Sequence, residues 1–306
     1  MNVLVPITIT DSMLVSSTIA EPASGETAWV SGGTYALSDR RIRTTTHRVY
    51  ECVKAHIGVT TLPENDTVNW LDVGPTLRWA AFDNEVSTPS SAVTPLTYVL
   101  QPGFFNAVAF YGMDGADISA IVKDAPGGTV IFSYSGSLQE PPIDWYEWLF
   151  SPIRPLSKLV LRDIVPYPEA ELTISITATA GTTVSAGMIA IGDMRLLIGD
   201  AEWGGTEYGA TAEPVDFSYI KTEFDGTTSI KKRRNATDMR VRVVMPRESA
   251  DYALSTMQEV LSVPAAWIAT DAPGFAGLNV FGLGTGSLGY DSNGHAVFSI
   301  YVKGLV

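Results

Sequence analysis

Three histidines, His47, His56 and His295, and one cysteine, Cys52, are the side chains of this 306-residue chain best suited to a transition metal. They form no HExxH, CxxC or HxH pattern, so the sequence predicts no such site. There is no GxSxG nucleophile elbow and no Walker A loop. Gly282-Leu283-Gly284-Thr285-Gly286 is rich in glycine, but it lacks the lysine and following helix of a phosphate cradle. It reads as a turn between strands. Three carboxylate pairs stand close in sequence: Asp114 with Asp117, Asp144 with Glu147, and Asp200 with Glu202. Glycoside hydrolysis needs two carboxylates facing each other across a cleft. Neighbours beside a turn do not supply that arrangement by spacing alone. The expectation is a protein that is not an enzyme and needs no cofactor.

The chemistry that remains is that of flat rings. Residues 27–83 carry Trp29, Tyr35, Tyr50, Trp70 and Trp79, more aromatic surface than so short a segment can bury in one core. An exposed indole or phenol offers a pyranose its stacking face. The same rings could instead be the segment's core or a protein interface. Asp144-Trp145-Tyr146-Glu147-Trp148 is a second aromatic and acidic cluster, and it reads as two buried tryptophans flanking a short bend.

The elements that must position these rings are mostly strands. Thr, Ser, Gly and Val are abundant and long helical patterns are scarce, which favours an all-β architecture. An N-terminal arm covers 1–26, with Val3-Leu4-Val5 and Ile7-Thr8-Ile9 as strand-like runs. Pro6 between them suits an edge strand, so the arm is expected to pair with another domain or subunit. A small module follows at 27–75, built on Arg40–Thr44 and His47–Val53. Residues 76–200 read as a β-sandwich. Its clearest strand is Leu172–Thr179, where Leu172, Ile174 and Ile176 alternate with Thr173, Ser175 and Thr177.

Residues 201–306 form an α+β domain. A hairpin turns at Asp225-Gly226. One helix, within 246–263, has Ala250, Leu254, Met257 and Leu261 on a shared face. Lys231-Lys232-Arg233-Arg234 is the one basic run, expected as a solvated hairpin tip or a salt-bridging contact to an acidic neighbouring subunit.

The formal net charge of −13 argues against nucleic-acid phosphates and anionic membranes as partners. No apolar run is long enough to span a bilayer. A single cysteine excludes an intrachain disulfide. MNVLVPITIT lacks a basic start and a cleavage site, so no signal peptide is expected and synthesis in a host cytoplasm is.

Trp29, Tyr35, Asp39, Arg43, Tyr50, Pro63 and Trp70 follow an order that resembles the small chitin- and cellulose-binding modules of the family 5/12 type. Ser38 replaces the usual glycine, and Arg41 and Ile42 occupy the valine region. The resemblance implies glycan contact by Trp29, Tyr35, Tyr50 and Trp70. WAAFD at 79–83, NAVAFYGMDG at 106–115, DWYEWLF at 144–150 and AIGDMRLLIG at 190–199 resemble galactose-binding-domain-like jelly rolls of phage structural proteins. GDMRLLIGDAEWGGTEYG at 192–209, joined to a hairpin, a helix and a final strand, is similar to minor tail or baseplate proteins of tailed phages.

Together these resemblances imply a virion component of the tail tip or baseplate that aids host adsorption. Its implied partners are other tail proteins, its own copies and a host-surface glycan. A free polysaccharide-binding, lectin-like protein, a capsid decoration protein and a glycan-degrading tail enzyme are the alternatives.

Overall fold

The structure is a computed structural model that describes residues 1–140, 144–152, 154–222, 224–270, 272 and 274–305. The fold is mainly β, as the composition predicted, and its sheets are antiparallel. The largest sheet has ten strands. Its order begins Lys158–Leu161, Ala107–Tyr111, Met188–Leu196, Asn2–Pro6 and continues Ala265–Ile268, Asn279–Gly289, His295–Gly304, Asn235–Pro246. Both Gly205–Thr206 and Thr211–Asp216 then pair with Asn235–Pro246.

The N-terminal arm pairs with strands of both later regions, in keeping with the expected pairing, but its strand lies inside the sheet and not at an edge. Leu4 is paired with Met194 on one side and with Ala266 on the other. Proline did not force an edge position because Pro6 is the strand's last residue, where a missing N–H costs little. The backbone continues straight on, with the Ile7 N–H donating to the Ile191 carbonyl at 2.8 Å. Asn2–Pro6 thus joins strands from both sides of the expected 200/201 boundary into one continuous sheet. Val3 and Leu4 are both fully buried, on opposite faces.

A second sheet, in the order Val130–Ser137, Asp117–Lys123, Glu171–Thr177, Leu96–Leu100, Leu14–Ser17, packs over one end of the first. Leu172, Ile174 and Ile176 from this sheet meet Val108, Phe110, Ile189 and Ile191 from the other in one core. The alternation read from the sequence is the buried face of this interface.

At the far end of the large sheet, the helix Ala250–Glu259 covers Val241, Val243, Trp267 and Phe298. Its buried face is Ala250, Ala253, Thr256 and Met257, with Val260 just beyond. Leu254 and Leu261, expected on that face, are exposed. The set 250, 253, 257, 260 obeys the helical period equally well, and small alanines allow closer approach to the sheet.

The glycine-rich stretch 282–286 is not a turn. It lies inside strand Asn279–Gly289. A Cβ at Gly284 would run into the indole of Trp267, and one at Gly282 into the Lys303 carbonyl. These glycines make room for neighbours, as glycine in a strand interior often does.

Candidate functional site

The 27–75 module is a three-stranded sheet, Arg40–Arg43, Arg48–Cys52 and Trp70–Pro75, with a short pair Thr34–Tyr35 and His56–Ile57. The candidate rings converge inside it. Tyr35 and Trp70 meet edge to face, with centroids 4.9 Å apart, and His56 packs on both rings. Tyr35, Tyr50 and Trp70 are only 4%, 4% and 3% exposed. The Tyr35 hydroxyl is fully engaged, accepting from the Val30 N–H and donating to the Val30 carbonyl.

Tyr35, Tyr50 and Trp70 therefore form the module's core and present no face to a sugar. This corrects the expected glycan platform. Trp29, the fourth candidate, is half-buried against that core and carries the Arg43 guanidinium 5.4 Å from its ring centroid. Arg43 is in turn fixed by Glu64 at 3.2 Å. A segment this small needs most of its rings to build any core at all, and that need outweighs exposure. Cys52 lies in the same core, where burial pushes its thiol up from the usual range and disfavours a reactive thiolate.

The module is fastened to the body by a polar seam. The Glu21 carboxylate sits 3.0 Å from His47 Nδ1 and accepts from the Thr76 hydroxyl at 2.7 Å. Glu26 accepts from the Leu77 and Ala23 N–H groups, each at 2.8 Å. The expected linker around 21–26 is thus a wedge of two buried or half-buried carboxylates.

Two small elements elsewhere present clusters of exposed apolar side chains. The first is helix α1, Trp145–Phe150, in which no residue is buried. Trp145, Tyr146, Trp148 and Phe150 are 76%, 65%, 70% and 70% exposed. The expectation of two buried tryptophans here is overturned. No signal in the sequence pointed to the exposure, because a short helix this rich in apolar residues is ordinarily buried. Asp144 caps its N-terminus through the Glu147 N–H, and Glu147 pairs with Arg154 at 2.9 Å. Both members of that carboxylate pair have structural duties.

The second element is the hairpin Tyr219–Thr222 with Thr228–Lys231, turning at Asp225-Gly226 as the sequence predicted. Every residue of both strands is exposed. Phe217, Tyr219, Ile220, Phe224 and Ile230 display apolar side chains along it. The basic run stands at its base, not its tip, where the Arg234 guanidinium contacts the Ser87 hydroxyl.

Among the described residues no group of three or more His, Cys, Asp or Glu side chains is placed to hold a metal ion. An open groove of about 670 Å³ lies beside Met1, Leu196, Tyr208 and Phe275. Its one carboxylate among the described lining residues, Glu207, is paired with Arg242 at 3.3 Å. Asp200 and Glu202 line a separate cleft together with Arg247 and Glu248. Among the described residues no helix is long and apolar enough to cross a membrane. No protein-family model, curated protein or solved structure matches this chain.

Proposed function

We propose that this chain is a non-enzymatic structural component of a tailed-phage particle, placed at the tail tip or baseplate and working as part of an assembly. The strands of 76–200 are read as a jelly roll of the galactose-binding-domain type, with 27–75 as an appended module and 201–306 as the assembly region. What carries the reading is a pair of small elements, the α1 helix and the 219–231 hairpin, whose apolar side chains are left uncovered. A six-residue helix is too short to persist in water by itself, and an isolated two-stranded hairpin is marginal. Both suit a protein whose working state is covered by neighbours. The resemblance at 192–209 supplies the phage context.

Glycan contact through Trp29, Tyr35, Tyr50 and Trp70 is not part of this proposal, because Tyr35, Tyr50 and Trp70 build the module's core and Trp29 is half-buried against it under Arg43. That also removes the main support for a free lectin-like protein. The test is protein mass spectrometry of particles banded on a density gradient. The chain should be present at a fixed ratio to the major tail protein. Its presence only in the unbanded fraction would contradict the proposal.

A further inference from the structure

The two uncovered elements differ in charge. Segment 217–234 carries five basic residues, Lys221, Lys231, Lys232, Arg233 and Arg234, against Glu223 and Asp225. Removing it leaves a remainder more acidic than the whole chain's −13. Segment 140–150 carries Glu140, Asp144 and Glu147 and no basic residue, the nearest being Arg154, which pairs with Glu147. Each element is apolar, exposed and too small to be stable uncovered, and each has what the other lacks in charge.

We infer that the hairpin arm of one copy docks on the α1 helix of a second copy of this chain. The inference rests on the assembly reading and names the surfaces that reading requires. Burying the four α1 rings removes on the order of several hundred Å² from water, since each aromatic side chain covers about 150–250 Å². That approaches the roughly 800 Å² per partner of a stable interface. The hairpin adds Phe224 at its tip and Tyr219, Ile220 and Ile230 along its sides. Lys231 and Lys232 at its base would meet the acidic side chains of Glu140 and Asp144, Glu147 being held by Arg154. A contact between two different patches propagates head to tail, closing as a ring where the rotation allows, or as a dimer if two copies exchange arms reciprocally.

Cross-linking tests the pairing directly, because the native Cys52 is buried and inert to it. Ser151→Cys places a thiol at the end of α1, and Thr227→Cys places one at the hairpin turn. Both leave the apolar side chains intact. Under mild oxidation of the full-length protein, a mixture of the two variants should give disulfide-linked pairs containing one of each, and neither variant alone should do so. Light scattering on the unmodified chain should show concentration-dependent association that salt weakens. Trp145→Ser with Trp148→Ser should weaken it by more than about 100-fold, as loss of central aromatic anchors does, without change in the circular dichroism of the sheets. Lys231→Glu with Lys232→Glu should also weaken it.

A chain that stays monomeric at high micromolar concentration would overturn the inference. So would cross-linking of Thr227→Cys with itself, which would indicate a symmetric hairpin contact. Neither result would touch the particle-composition test, so failure of this contact and failure of the virion reading are separable.

Discussion

The imidazole of His47 lies flat on the indole of Trp79, with ring centroids 4.3 Å apart and planes inclined by 28°. His47 belongs to the turn between two module strands, and Trp79 is anchored in the core of the body. Glu21 approaches the same imidazole from the side. The stacked pair and the Glu21 carboxylate therefore help tie the module to the body, together with the Glu26 contact to the Leu77 N–H. Glu21→Gln keeps the size of the side chain and removes its charge. It should lower stability by about 1–3 kcal/mol, the cost of weakening a buried charged hydrogen bond. Proteolytic nicking near 21–26 or 76–79 should speed up. Unchanged stability and nicking would show the seam to be dispensable.

Strand Asn2–Pro6 is expected to be indispensable. Removing residues 2–6 uncovers Met188–Leu196 on one side and Ala265–Ile268 on the other, and deletes Val3 and Leu4 from two cores. The truncated chain should fail to give a cooperative unfolding transition. Gly192→Ala probes the same place more gently. Its Cβ would collide with the Val5 carbonyl, so a loss of about 1–3 kcal/mol is expected in chemical denaturation. A truncated chain that unfolds like the full one would show the strand to be an accessory arm.

Much of this architecture was open to sequence reasoning, and the exceptions have physical reasons. The alternation from Leu172 to Ile176 and the Asp225-Gly226 turn are local signals, and both carried through. The interior place of Asn2–Pro6 depends on partners as distant in sequence as Leu196 and Ile268, which no local pattern encodes. The aromatic rings were the hardest to assign. Tyr35 and Trp70 have the side chains of a sugar platform and of a small core alike, and only the three-dimensional count of available apolar groups decides between them. At α1 the same ambiguity resolved the other way.

If Trp70 is core, its removal should unfold the module and not merely silence it. Trp70→Ala should cost about 3–5 kcal/mol, the range for deleting a buried aromatic side chain. The near-ultraviolet circular dichroism should lose its tryptophan bands from this region. A folded module that has lost only glycan affinity would restore the platform assignment.

The core between the two sheets should make the protein sensitive to alkali. Burial pushes the Tyr98 phenol up to about 12, and its hydroxyl donates to the Arg78 carbonyl at 2.9 Å. In the unfolded chain a tyrosine ionises near pH ~10. The folded state therefore holds its proton longer, and the corresponding stability is complete below pH ~10 and is lost as pH rises through about 12. The amount is roughly 2–3 kcal/mol. Tyr111, buried with its hydroxyl on Asn279, is shifted upward for the same reason and acts in the same direction. Denaturation titrations from pH 8 to 12 should show a steeper alkaline decline in the parent than in Tyr98→Phe. Parallel curves would mean that this phenol does not control the transition.

The central claim, membership of a phage particle, is tested most directly by immunogold electron microscopy of purified particles with antibody raised to this chain. The account predicts gold at the tail tip or baseplate. Gold on the head would keep the chain in the virion but contradict the tail assignment. Particles free of label, with the antigen present in the surrounding lysate, would contradict the claim altogether.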